Sequence, residues 1–95
     1  GLLSAVAEGA IVEGGAIVDG DGIHPGVMAP LGEPLAGWVN TQAALQEMVV
    51  DAALTGDADL AFQALREDPC SPPDEASCRA MFAELHQLQA DKLPF

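Results

Sequence analysis

The stretch Ala16-Ile17-Val18-Asp19-Gly20-Asp21-Gly22-Ile23-His24-Pro25 decides the fold class. β-Branched residues flank a run that alternates Asp and Gly. Asp-Gly supplies residues that tolerate positive φ, as a tight hairpin turn requires. The pattern predicts a strand over 10–18, a turn at 19–22 and a returning strand over 23–28. Upstream, Ala10-Ile11-Val12-Glu13 continues the β-branched character, and Gly14-Gly15 interrupts it. A glycine pair inside a strand marks a bulge or a close backbone approach. A lone hairpin is not stable in water, so this one is expected to pack on helices or join a larger sheet.

Downstream the period changes from two to 3.6. Gly32-Glu33-Pro34 places Pro in a first helical turn, where its missing N–H is harmless. Leu35, Trp38, Val39, Leu45, Met48, Val49, Ala52 and Ala53 form an i, i+3, i+4 stripe. Asn40-Thr41 either interrupts this helix or restarts it with a new cap. Thr55-Gly56 ends it, because Gly readily takes the left-handed stop position. Asp57 caps a short second helix carrying Leu60, Ala61, Ala64 and Leu65, with Asp59 suited to the dipole in its first turn. Asp68-Pro69 ends that helix. Ser71-Pro72-Pro73-Asp74-Glu75 opens a third, with Cys78, Met81, Phe82, Leu85 and Leu88 on one side, and Leu93-Pro94 stops it. The expected architecture is α+β: one hairpin (10–28) followed by about three helices (33–93), in a single small domain over residues 1–95.

Composition narrows the function. The 95 residues carry 15 Asp and Glu against 3 Lys and Arg, a net charge of −12. Three cations, Arg66, Arg79 and Lys92, do not neutralise a run of phosphates, so nucleic-acid binding is excluded as an expectation. An anionic membrane surface would repel the chain as well. No apolar run approaches the roughly 18–20 residues of a membrane span, and no basic start followed by an apolar core signals secretion. Two cysteines do not make a disulfide framework, so a cytoplasmic location is expected. Apolar residues make up 49% of the chain, too many for a disordered acidic tail. A chain this short hides only about 60–65% of the surface that its unfolded form exposes. The surplus of apolar residues therefore points to a partner surface.

The residues that might carry chemistry do not assemble into a site. Asp19-Gly20-Asp21-Gly22 resembles part of a calcium loop, but aligning Gly22 with the loop glycine puts Ile17 and Met28 at ligand positions, and neither ligates. Cys78 and His86 are eight apart and Cys70 stands alone, which is not zinc-ligand spacing. Cys78 is expected to be buried and Cys70 exposed. His24 has two readings, a structural histidine hydrogen-bonded beside the turn or a functional imidazole. Trp38 is read as core on its stripe, or as an exposed interface anchor if the chain is a piece of something larger. No nucleophile is visibly placed beside a His and a carboxylate, and no Gly-rich phosphate loop runs from a strand into a helix. No catalytic, cofactor-binding or metal residue is assigned. His24 and Trp38 remain candidate substrate-side or interface residues.

Several stretches together resemble a known family. They are Ile11-Val12-Glu13, Ile17-Val18-Asp19-Gly20-Asp21-Gly22-Ile23-His24-Pro25, Leu31-Gly32-Glu33-Pro34-Leu35-Ala36, Asp51-Ala52-Ala53-Leu54-Thr55-Gly56-Asp57, Leu60-Ala61-Phe62-Gln63-Ala64-Leu65, Asp68-Pro69 and Ala90-Asp91-Lys92-Leu93-Pro94-Phe95. In order and spacing they are similar to the C-terminal end of glycoside hydrolase family four, which contains α-galactosidases, phospho-glucosidases and uronic-acid glycosidases. Gly14-Gly15-Ala16 departs from a segment that usually carries valine and proline, Asn40–Ala44 is offset from the usual run, and residues 70–75 are a shortened connection. The resemblance implies a fragment of a lactate dehydrogenase-like C-terminal domain. It also implies NAD and manganese in the complete enzyme, which cleaves glycosides by an oxidation and elimination route. Neither cofactor is expected to bind this chain. The family's nucleotide turn and its metal-binding Cys and His lie elsewhere in the full enzyme, and Cys70, Cys78, His24 and His86 do not match them by context. Some members carry His at the position of His24 and others do not, so no essential catalytic role is expected there.

Three functions follow as expectations. The first is a non-catalytic C-terminal domain that packs against the rest of a glycosidase chain and supports a homo-oligomer, dimeric or higher. The second is a free-standing module, derived from such a tail, that holds a small ligand or a protein. The third, an independent enzyme using carboxylates or His24, has no constellation behind it.

Overall fold

Backbone pairing in the computed structural model, which describes residues 3–95, confines the strands to β1 (Ala16–Asp19) and β2 (Gly22–Pro25). They are antiparallel, with Ala16 opposite Pro25, Ile17 opposite His24, Val18 opposite Ile23 and Asp19 opposite Gly22. Gly20 and Asp21 form the two-residue loop, and Gly22 takes φ 132°, open to glycine at no steric cost. The ladder is shorter than the strands expected over 10–18 and 23–28. A Cβ on Gly14 would come within 2.6 Å of Met28 Sδ, and one on Gly26 within 3.0 Å of Gly15 O. The Gly26 N–H donates to Gly15 O at 2.8 Å. The chains thus approach closely at the base of the hairpin, as the glycine pair foretold.

Three helices follow: α1 (Glu33–Thr55), α2 (Ala58–Glu67) and α3 (Glu75–Gln89). The expected α+β class, one hairpin and three helices, is what the chain adopts. None of these helices is long and apolar enough to cross a membrane. The chain divides into two compact units, one ending at Ala43 and one running from Ala44 to Phe95, with α1 contributing to both.

In the first unit, Gly32 O accepts from the Leu35 and Ala36 N–H groups and so opens α1. Pro34 sits in the first turn, where no intrahelical acceptor waits for its missing N–H. Asn40-Thr41 neither breaks nor restarts the helix. Thr41 Oγ1 donates back to Gly37 O at 3.0 Å, a bond that a helix interior accommodates. Asn40 accepts from the Ala7 N–H at 2.8 Å and donates through Nδ2 to Ala5 O at 2.8 Å. One amide thereby ties the leading segment to α1, and the unit buries Leu3 and Ala36. Within this unit neither strand contacts α1, so of the two expected ways to cover the hairpin, helices or a larger sheet, α1 supplies none.

In the second unit, Gly56 stops α1 at φ 71°. The Asp57 N–H reaches back to Ala52 O at 3.1 Å, the six-to-one bond of a glycine-terminated helix. Asp57 then accepts from the Asp59 and Leu60 N–H groups at 3.0 Å each and caps α2. Asp74 does the same for α3 through the Ser77 N–H at 2.8 Å. α2 packs on α3, and the buried side chains are Leu45, Ala52, Phe62, Ala64 and Cys78. α3 ends at Gln89, short of Leu93-Pro94, and one further turn follows it in which the Lys92 and Leu93 N–H groups both donate to Gln89 O.

The core reading of the α1 stripe holds for Leu45 and Ala52 but not for Leu35, Val49 or Trp38, which are each at least half exposed. Trp38 is 58% exposed, which corrects its assignment to the core. Leu85 and Leu88 of α3 are exposed too. Apolar residues lie on more than one side of α1, and only one side finds cover within each unit.

Two substitutions test these joints. Gly56→Ala places a Cβ 3.3 Å from Pro94 O and forces an L-residue into positive φ, so it should cost about 1–2 kcal/mol, read as a lower urea midpoint. Asn40→Ala removes both ties to the leading segment and should cost about 1 kcal/mol. Faster amide exchange at Ala7, with α2 and α3 unaffected, is the expected signature.

Candidate functional site

The hairpin places one polar pair on an otherwise apolar surface. Cross-strand neighbours share a face and alternate residues switch faces. Ile17, Asp19 and His24 therefore lie on one face, and Ala16, Val18, Ile23 and Pro25 on the other. His24 Nε2 donates to Asp19 Oδ1 at 3.0 Å. The same oxygen accepts from the Asp21 N–H at 2.9 Å, the side-chain bond that favours Asp in turns. Both side chains are about half exposed, at 51% and 50%, so the pair contributes little to stability. Its effect is orientation: the carboxylate fixes the His24 ring through Nε2 and leaves Nδ1 unengaged. Asp19 was legible only as a turn residue. The signal for its pairing was positional, since residues five apart across a two-residue loop are diagonal neighbours on one face.

Around this pair the surface is apolar and uncovered. Ile17 is 67% exposed, Val18 72% and Ile23 73%. In the same unit α1 exposes Leu35 and Trp38. The two candidate residues thus both stand at the surface, but no contact between the hairpin and α1 brings them together.

Of the other potentially chemical residues, Cys78 and His86 have structural roles and Cys70 stands free at the surface. Cys78 is fully buried and Cys70 exposed, as expected, and both are free thiols. His86 Nε2 donates to Phe95 O at 2.6 Å. Its ring stacks between Phe82 and Phe95, with centroids 6.0 Å and 5.9 Å away. Phe82 meets Phe62 edge to face at 5.6 Å, and the Arg79 guanidinium lies 4.3 Å above the Phe62 ring. Arg79 also holds Glu75 through Nη2 at 2.8 Å and Nε at 2.9 Å. An open recess of about 370 Å³ follows α2, lined by Arg66, Asp68, Ser71, Asp74 and Glu75 among others. Its polar groups are already engaged: Asp68 accepts from the Cys70 N–H, Ser71 Oγ donates to Leu65 O, and Asp74 caps α3. Among the described residues no three His, Cys, Asp or Glu gather to hold a metal ion. The glycines of the hairpin turn lead into a strand, whereas a dinucleotide phosphate needs a glycine turn that opens a helix. Among the described residues there is thus neither a three-ligand cluster of the kind manganese takes nor, at the hairpin, a glycine turn that opens a helix.

Three carboxyls titrate below their ordinary range. Asp19 is lowered first by the Asp21 N–H and then by His24. Asp74 is lowered first by the Ser77 N–H. Glu75 is lowered by its hydrogen bond to Arg79, then by the charges of Arg79 and Arg66. A depressed carboxyl stabilises the fold above its unfolded pKa, and that support is lost as pH falls through the folded value. The hairpin and the α3 cap should therefore keep these contributions at neutral pH and lose them below the ordinary carboxylate range. In an NMR titration, His24→Ala should move the Asp19 midpoint upward while leaving it below the ordinary value, because the Asp21 N–H remains. An unmoved midpoint would mean that the imidazole does not engage the carboxylate.

With this geometry in view, comparison with known proteins has direct structural content. The family model described as Family 4 glycosyl hydrolase C-terminal domain matches residues 1–71. That span takes in the hairpin, α1 and α2, and stops before α3. The resemblance noted at Ala90–Phe95 falls outside the matched residues. No solved structure matches the chain. The match covers most of the 95 residues and contains the hairpin and its Asp19–His24 pair, and the chain belongs to the family 4 glycosyl hydrolases, as a C-terminal domain of that family.

Proposed function

We propose that residues 1–95 act as a non-catalytic packing and assembly domain of a glycosidase whose complete form works with NAD and manganese. The observation that carries this reading is the set of large apolar side chains left in water. Ile17, Val18, Ile23, Leu35 and Trp38 are all at least half exposed in a unit that buries little else than Leu3 and Ala36. Exposed apolar groups at this density mark an interaction surface. The occupants proposed are the remainder of the glycosidase chain and further subunits. Trp38 is the anchor proposed for the subunit contact, since aromatic residues dominate interface energetics. His24, oriented by Asp19, is proposed to face the substrate side or an interface without acting as an essential acid or base. A cytoplasmic setting accords with two free thiols and no disulfide.

Sedimentation of the chain over a concentration series, read together with Trp38 fluorescence, tests the assembly role. Dimers or larger species should form, and Trp38 emission should shift to the blue as they do. Trp38→Ser should return the chain to monomer with its helical content unchanged. A monodisperse monomer with water-exposed Trp38 at every concentration would overturn the role. The isolated chain should also show no glycoside turnover.

A further inference from the structure

We propose that the outer edge of β1 accepts an extended strand from a polypeptide segment outside residues 1–95, and that this strand carries Lys or Arg at its ends and apolar side chains between them. The inference deepens the packing role proposed above and rests on it. It adds which edge is used, by what kind of segment, and why a second copy of this chain is not the occupant.

The edge follows from the ladder. In an antiparallel pair, residues alternate between those whose backbone groups bond across the ladder and those whose groups point outward. The Gly26 N–H bonds to Gly15 O, so the bonded pairs are Gly15 with Gly26, Ile17 with His24 and Asp19 with Gly22. Ala16 and Val18 of β1, and Ile23 and Pro25 of β2, then point their backbone groups outward. Pro25 has no N–H, which blunts the outer edge of β2 as prolines do on edge strands. The outer edge of β1 keeps two N–H and two C=O groups in register. Among the described residues no hydrogen bond reaches them. An unpaired edge of this kind is a template for strand addition. One face beside it carries Val18 and Ile23 and the other carries Ile17 next to the Asp19–His24 pair, all exposed, so an added strand would bury apolar side chains as well as satisfy the backbone.

The charge of the occupant follows from the sequence. Residues 1–65 contain no Lys or Arg, whereas Glu13 precedes β1, Asp19 is its last residue and Asp21 lies in the turn that follows. A carboxylate thus stands at each end of the open edge. Two copies of β1 paired about a two-fold axis would run antiparallel and bring Glu13 of one toward Asp19 or Asp21 of the other, according to register. Like charges opposite each other in a ladder are destabilising, and the chain offers no cation here to separate them. A strand with basic ends removes the conflict.

The test uses the 95-residue chain and two synthetic peptides, one alternating lysine with valine and one alternating glutamate with valine. The lysine peptide should slow amide exchange at Ala16 and Val18 at least several-fold and leave the recess at Arg66–Glu75 unaffected. The glutamate peptide should do neither. Ala16→Pro removes one outward N–H without touching the bonds inside the hairpin, and should abolish the protection while the Ile17 amide stays protected. Unchanged exchange at Ala16 and Val18, or equal protection by both peptides, would overturn the proposal. Protection of these amides in the chain alone, rising with its concentration, would overturn it in favour of a second copy. Loss of Trp38-dependent assembly bears on the subunit contact and leaves this result untouched.

Discussion

Uncovered apolar surface is the constraint on which the rest of the structure depends. A two-stranded ladder satisfies half of its backbone groups and, without contact to α1 in its own unit, buries no side chain. Water does not reward such an arrangement, since a hairpin needs a third strand or a helix for independent stability. The same shortage recurs on α1, where Leu35, Trp38, Val49, Val50 and Leu54 are exposed while Ala36, Leu45 and Ala52 are buried. A chain of this size holds too few layers to cover an apolar helix on more than one side. The charge pattern then limits what can supply the missing cover, because cations are confined to Arg66, Arg79 and Lys92.

Where the chain does close on itself, it does so through local hydrogen bonds at the helix ends. Gly56 and Asp57 share one junction: the glycine's positive φ turns the backbone, and the aspartate both completes the stop of α1 and caps α2. Asp74 repeats the capping role for α3. Between α2 and α3 the aromatic series Phe62, Phe82, His86 and Phe95, with Arg79 over its first ring, spans the packed face. His86 is accounted for by this stack and its bond to Phe95 O. The second unit thus gains a small, specific core in which the candidate chemical groups are already committed.

Membership of the family 4 glycosyl hydrolases gives these features a setting. A C-terminal domain of such an enzyme can leave apolar strands and helix faces open when other parts of the assembly cover them. It can also carry carboxylates in number without an acid–base pair, since catalysis requires opposed pKa shifts in one cleft. The three perturbed carboxyls here are all shifted downward by local hydrogen bonds or by Arg, and they lie in a turn and at the start of α3. That direction suits charge-stabilised turns and caps and opposes a role as proton donors near neutrality.

The punctuation of the fold was legible in the residues alone. Asp-Gly turns, Gly56 as a stop and Asp57 as a cap each work through one residue and its immediate neighbours, so local physics determines them, whereas Asp74 was legible only as part of the segment that opens α3. The α+β class, the burial of Cys78 and the exposure of Cys70 followed in the same way. What escaped was anything requiring knowledge of which surface meets which. Asn40 looked like an interruption because its partners, Ala5 and Ala7, are more than thirty residues away in sequence. Trp38 looked like core because periodicity reports an apolar face without saying whether anything covers it. Asp19 and His24 became a pair only when the register was set, and α1 supplied no cover for the hairpin in its own unit. Sequence by itself settled the order of the elements, the hairpin turn, the stop at Gly56 and the cap at Asp57, because those choices are made by bonds a few residues long. Tertiary structure decided which side chains of the apolar helix stripes are buried and which stay exposed, because burial depends on contacts between segments whose separation along the chain carries no information about their distance in space.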